Sequence, residues 1–177
     1  MLAVIFLTSR VREPTTQDLK KLVRILCYLN GTKELGLVLG GDKNSHIRLY
    51  GYGDAAFAVH PSNMRSHTGL LLSVGRGIIL VKSTSQKTVT KSSAESELVA
   101  LSDLLSFAVN QLEFMKSMNL NIDHAELCRN NQSTIHMAEN GNLTHKTKHI
   151  KIKYFYIKYF ILIQKNLKLP IAQLSPW

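Results

Sequence analysis

The sequence predicts an α/β fold, a mixed β-sheet of about five strands with flanking helices. Three observations carry this. The hydrophobic period is helical over 14–30, becomes two over 35–52 and 68–83, and returns to helical over 98–115. Gly75-Arg76-Gly77 sits between two apolar runs and signals a hairpin. From residue 46 onward, three hairpin-ordered strands precede a long helix and a further strand, which must then lie parallel to the first.

Each element has a local cause. Over 14–30, Pro14 and Thr15 suit a first turn, Leu19, Leu22, Val23, Leu26 and Leu29 recur at helical spacing, and Asn30-Gly31 ends the run. Leu35, Leu37 and Leu39 alternate as in a strand, and Gly40-Gly41-Asp42 turns the chain. Ile47 and Leu49 open a strand that reaches Tyr52 and runs into Gly53-Asp54. A polar loop at His60-Pro61-Ser62-Asn63 leads to strands at Thr68–Val74 and Ile78–Ser83. Leu98, Leu101, Leu105, Ala108, Leu112 and Met115 form the stripe of the strongest helix. Ser92-Ser93-Ala94-Glu95 has the form of a capping box at its start. A short strand over 124–128, a short helix from Asn131 to Glu139, a longer helix from Lys148 to Lys165 and a strand over Leu167–Leu174, weakened by Pro170, complete the reading. The boundary falls near 40–46, giving an appended segment 1–45 (a helix and a strand) and a main domain 46–177.

Composition narrows the class. The chain has 177 residues, 45% of them hydrophobic and 19% charged, which is a globular balance. Cys27 and Cys128 form no metal-ligand spacing and no disulfide framework, and suit a reducing compartment. Leu2–Leu7 is too short and lacks the basic lead of a signal peptide. The apolar run Tyr154–Ile163 is interrupted by Lys158 and is too short for a membrane span. The expectation is a soluble intracellular protein of cytoplasm or nucleus, without a membrane partner.

The chain carries 22 Lys and Arg against 12 Asp and Glu, a net charge of +10. The excess is concentrated: after Glu139 no acidic residue occurs, while seven lysines follow from Lys146 to Lys168. Such a block is either a phosphate-binding face or a solvated helix face, and charge alone does not choose between them.

With so few acids, each can be weighed singly. Asp54 closes the first strand of the main domain, where Asp is also a common turn residue. Glu97 lies in the first turns of the long helix, where the helix dipole also favours an acid. Glu95 belongs to the cap, and Asp103 falls toward solvent. The strand ending at Cys128 leads into a junction that would set residue 130 beside Asp54. An Asp there would complete an acidic cluster suited to a hard divalent ion, but the residue is Asn130.

These residues resemble the RNase H domain of copia-type retrotransposon polyproteins. The matches run in order through Gly51-Tyr52-Gly53-Asp54-Ala55, Arg65-Ser66-His67-Thr68-Gly69, Lys82-Ser83 with Gln86, Ser92-Ser93-Ala94-Glu95-Ser96-Glu97, Asn131-Gln132-Ser133 and Thr147-Lys148-His149-Ile150. Upstream, Arg12-Glu13-Pro14 and Ile25–Thr32 look like the end of the reverse-transcriptase region that precedes this domain, so 1–45 reads as a remnant of that region.

The resemblance implies an RNase H-like fold and metal-dependent cleavage of RNA in RNA–DNA hybrids, with Mg2+ or Mn2+ held by four carboxylates. By position, Asp54 and Glu97 are the first two catalytic and metal-holding acids, and Asn130 stands where the third belongs. The fourth would follow the last strand, about where Leu174-Ser175-Pro176-Trp177 ends the sequence. Ala56 and Lys151 also replace common family acids. Lys146, Lys148, Lys151 and Arg65 are the expected nucleic-acid contacts. Two divalent ions bring four positive charges, and Asp54 with Glu97 answers only two of them. The expectation is therefore weakened metal binding and impaired cleavage. The alternative is a non-catalytic nucleic-acid-binding module or a relic of a transposon polyprotein.

Overall fold

The computed structural model describes residues 2–37, 47–60, 63–122, 125–128, 148–163 and 167–168. The chain divides into two compact units, Met1–Val38 and Leu39–Trp177.

The first unit holds helices α1 (Leu2–Thr8) and α2 (Thr16–Gly31). Helix α2 begins two residues later than expected, because Thr15 is its cap. The Thr15 hydroxyl oxygen accepts from the Asp18 N–H, and the Asp18 carboxylate accepts from the Thr15 N–H at 2.9 Å, closing a capping box. The same carboxylate accepts from the Thr15 hydroxyl at 2.7 Å and from Arg10 Nε at 2.9 Å. The Thr15 hydroxyl and backbone bonds, then Arg10, hold the Asp18 carboxyl down at about 2. The apolar stripe of α2, Leu19, Leu22, Val23, Leu26 and Leu29, is exposed. The strand expected at Leu35–Leu39 is corrected in part: residues 35–37 take no regular structure, and Leu39 lies outside the described residues. Alternation creates a sidedness, but a strand also needs a neighbour to bond.

The second unit is built on a five-stranded sheet. Its strands are β1 (Leu49–Ala56), β2 (His67–Val74), β3 (Gly77–Ser85), β4 (Ala125–Cys128) and β5 (Leu167–Lys168), in the order β3-β2-β1-β4-β5. The β1–β2 and β2–β3 pairs are antiparallel. The β1–β4 and β4–β5 pairs are parallel, so the sheet is mixed as expected. Gly75, at φ 55°, supplies the left-handed residue of the β2–β3 turn. Of the last strand, expected over 167–174, Leu167–Lys168 is described; 169–174 and the expected helix 131–139 lie outside the described residues.

Helix α3 (Ser93–Ser117) and helix α4 (Lys148–Ile163) share one core with the sheet. Leu98, Leu101, Leu104, Leu105, Ala108 and Leu112 of α3 meet Leu49, Leu70, Leu72 and Leu127 of the strands. Tyr154 and Ile157 bring α4 into the same cluster. Each fully buried Leu contributes about 1.5–3 kcal/mol. The close approach of α3 to the sheet depends on Gly51, where a Cβ would lie 2.7 Å from Leu127 Cδ2 and 3.2 Å from Leu104 Cδ1. Among the described helices, α3 is long and apolar enough to cross a bilayer, but its apolar face is packed on the sheet. The Lys82 ammonium sits 4.4 Å from the Phe107 ring centroid, closing the edge of this layer with a cation–π contact.

Candidate functional site

The sequence places Asp54 at the end of a strand; the structure places it inside β1, paired with Gly69 and two residues short of the strand's end at Ala56. Antiparallel bonding to β2 carries β1 past the point where glycine and aspartate suggest a stop. Asp54 is exposed. Glu97 is half-buried on the second turn of α3.

One buried side chain ties these two acids to the same end of the sheet. Gln86 follows β3, and its Nε2 donates both to the Thr68 hydroxyl at 2.9 Å and to the Ser96 carbonyl at 2.8 Å. Thr68 pairs with Ala55 across the β1–β2 ladder, next to Asp54. Ser96 precedes Glu97. Gln86 is 3% exposed, so both bonds are shielded from water.

The start of α3 is fixed independently. The Ser92 hydroxyl accepts from the Glu95 N–H at 3.2 Å. The Glu95 carboxylate reaches back to the Lys91 N–H at 2.6 Å, one residue beyond the reciprocal partner of a closed capping box. Glu95 is therefore a cap residue, in a form that differs from the expected one. Asp103, expected toward solvent, lies 3.6 Å from Lys153 Nζ and links α3 to α4.

The motif Arg65-Ser66-His67-Thr68 closes the loop that leaves β1. Ala58 and Met64 both have φ 51°, a left-handed conformation that costs a non-glycine residue about 1–3 kcal/mol. Bonds offset that cost: the Ala58 N–H donates to Ser66 Oγ at 3.1 Å, and Ser66 Oγ meets Thr90 Oγ1 at 2.9 Å. The His60 N–H donates to the Arg65 carbonyl at 3.2 Å, and the Gln86 N–H donates to the Ser66 carbonyl at 2.8 Å. His60 Nε2 faces His67 Nδ1 at 3.1 Å, and His67 Nε2 faces Ser83 Oγ at 2.7 Å. Burial, then His60, holds the His67 pKa below its ordinary value. His67, Ser83 and Gln86 stand in the matched motifs of the sequence, where nothing local gives any of them a role. Their joint occurrence was the available signal.

The other expected site residues are placed as follows. Arg65 is exposed, with its N–H bonded to Asn63 Oδ1 at 3.1 Å. Lys148 and Lys151 stand on α4. Asn130 and Lys146 lie outside the described residues. The β1–β4 register ends at Tyr52–Cys128. Burial raises the Cys128 thiol pKa, and burial together with Cys128 raises that of Tyr52.

Among the described residues, no three His, Cys, Asp or Glu side chains come together as a metal site. Asp54 and Glu97 are hard oxygen donors at one sheet end, but two carboxylates fall short of the set that a pair of divalent ions requires. The described donors thus do not by themselves fit a two-ion centre.

A five-stranded mixed sheet with this strand order and α3 across it defines an RNase H-like fold. The fold agrees with RNase H1 from the archaeon Halobacterium salinarum at a TM-score of 0.50 and 16% identity, covering 71% of this chain and 85% of that one. No protein-family profile matches. The sequence is 31% identical over 137 residues to the retrovirus-related Pol polyprotein of transposon TNT 1-94 from Nicotiana tabacum, covering 77% of this chain and 10% of the polyprotein. It is 34% identical over 107 residues to a protein named secreted RxLR effector protein 161 from Plasmopara viticola, covering 60% of this chain and 74% of that one. The chain is thus similar in sequence to the retrovirus-related Pol polyproteins of copia-type transposons, and its fold is that of an RNase H-like domain. It spans about a tenth of the length of the Pol polyproteins it matches.

Proposed function

We propose that this domain binds RNA–DNA hybrids and retains at most very slow divalent-metal-dependent cleavage of the RNA strand. The observation that supports it is the Gln86 link, which sets the turn bearing Glu97 against the strand end bearing Asp54. In this reading Asp54 and Glu97 hold a single Mg2+ or Mn2+ weakly. Asn130 offers a neutral carbonyl where an acid would add charge. Lys146, Lys148, Lys151 and Arg65 contact phosphates, and residues 1–45 derive from the adjoining reverse-transcriptase region. The protein then works beside nucleic acid in cytoplasm or nucleus.

The test is cleavage of a labelled hybrid in Mg2+ and in Mn2+. The unaltered chain is expected to cleave at least ~100-fold more slowly than Asn130→Asp, since even residues that only orient metal ligands are worth ~10–100-fold. Asp54→Asn in the Asn130→Asp background should abolish the gain. Robust Mg2+-dependent cleavage by the unaltered chain, lost on Asp54→Asn, would overturn the impaired reading. The second reading, a binding module without catalysis, draws on the acid-free stretch after Glu139. It predicts hybrid binding that falls steeply with salt and no cleavage by any of these variants.

A further inference from the structure

Helix α4 turns Tyr154 and Ile157 into the core, at 2% and 1% exposure, yet leaves a second apolar stripe outside. Ile152, Phe155 and Tyr159 are 80%, 59% and 52% exposed. Both outer rings are braced edge-on from within. Phe155 meets Tyr154 with centroids 5.4 Å apart and planes at 72°. Tyr159 meets Phe160 at 5.4 Å and 83°. Phe160 in turn packs against Tyr156 at 4.9 Å, and both border the core. The outer rings are thus held in place at their edges while much of their surface meets solvent.

The charge of the helix itself has one sign. No acidic residue follows Glu139, and α4 itself carries Lys148, Lys151, Lys153 and Lys158. Lys153 is paired with Asp103 on the inner side. A polyanion is the partner this composition favours, and the rings specify which kind. A duplex stacks its base faces on one another and offers phosphates and groove edges. A single strand offers phosphates and unpaired base faces together, the combination that lysines and exposed aromatic rings recognise. Phe155 and Tyr159 are four residues apart, about 6 Å along the helix. That exceeds the rise of about 3.4 Å per stacked nucleotide, so the two rings take separate, splayed bases.

We infer that the outer face of α4 is a single-strand nucleic-acid platform, with unpaired bases stacking on Phe155 and Tyr159 and phosphates meeting the neighbouring lysines. It deepens the nucleic-acid reading above but needs neither Asp54 nor cleavage.

The test is fluorescence anisotropy with a short oligo(dT) strand, an abasic strand of equal length and an RNA–DNA hybrid, each at low and moderate salt. Phe155→Ala and Tyr159→Ala should each weaken oligo(dT) binding about tenfold. Tyr159→Phe should retain it, and none of the three should alter hybrid affinity or the far-ultraviolet circular dichroism. The abasic strand should bind weakly and ignore the ring substitutions. The inference is overturned if oligo(dT) does not bind, if the abasic strand binds as tightly, or if the alanine variants leave oligo(dT) affinity unchanged. It is also overturned if sedimentation shows a dimer that Phe155→Ala dissolves, because the stripe then serves a second copy of the chain. Loss of hybrid binding with oligo(dT) binding intact would sink the hybrid reading and leave this one standing.

Discussion

Gln86 and Ser96 are joined by a 2.8 Å bond from the Gln86 amide to the Ser96 carbonyl, which anchors the first turn of α3 to the strand end that carries Asp54. Gln86→Leu keeps the volume and removes both donors, leaving the Thr68 hydroxyl and the Ser96 carbonyl short of a buried partner. A loss of about 1–3 kcal/mol is expected. Urea denaturation measures it, and amide exchange should accelerate at 93–98 before it does at 108–115. Unchanged stability would show that Gln86 does not hold α3 to the sheet.

Two strand glycines should answer differently to alanine. At Gly51 the new methyl meets Leu127, Leu72 and Leu104 at 2.7, 3.1 and 3.2 Å, and all three leucines are buried. Overpacking of about 1–3 kcal/mol follows. At Gly69 nothing lies within 4 Å, so Gly69→Ala should be close to neutral. Thermal melts of the two variants, compared side by side, decide this.

His67 sets a pH dependence. Its folded pKa lies below the ordinary 6.5, so the unfolded chain takes up the proton more readily. The stability it contributes is complete above pH 6.5 and is lost as pH falls through the depressed folded value. Stability should drop as pH falls below 6.5, and His67→Asn should flatten that drop. An equal slope in the variant would assign the effect to other groups.

Asp18 acts in a lower window. Its carboxyl titrates at about 2 instead of 3.8, so its contribution is complete above pH 3.8 and is lost as pH falls toward 2. Thr15→Ala removes the largest cause. The helical signal of a peptide spanning 2–37 should then fade at higher pH than in the parent peptide.

The two thiols should separate by reactivity. Cys27 is exposed on α2, whereas Cys128 is half-buried and burial raises its pKa. A thiol-reactive dye at pH 7.5 should modify Cys27 quickly and Cys128 slowly, since the thiolate is the nucleophile. Mass spectrometry of the partly labelled protein identifies the site.

The main sheet and its long helix were legible because period, turn glycines and the Ser92 cap all pointed one way. The hairpin at Gly75-Arg76 and the stripe of α3 need no tertiary knowledge. Leu35–Leu37 misleads because alternation alone supplies no pairing partner. The reach of Glu95 to Lys91 depends on a rotamer, which spacing does not encode. The Gln86 link was invisible for another reason. A glutamine in a polar stretch reads as surface until the fold buries it between Thr68 and Ser96. Asp54 and Glu97 were found by resemblance, and their shared sheet end becomes physical only through that glutamine.

The order β3-β2-β1-β4-β5 also has a consequence for how the chain assembles. Strands β1 to β3 pair with their sequence neighbours, and α3 follows directly, so 49–117 can collapse with short loop closures. Strand β4 must find β1 across 76 residues, from Leu49 to Ala125, and β5 must then find β4 from Leu167. Closure of long loops costs entropy before any contact offsets it, which slows those steps. During synthesis the meander and α3 therefore emerge and settle first. The strand edge of β1 waits open until β4 is made, and in that interval it is the place where a neighbouring nascent chain can add a strand instead.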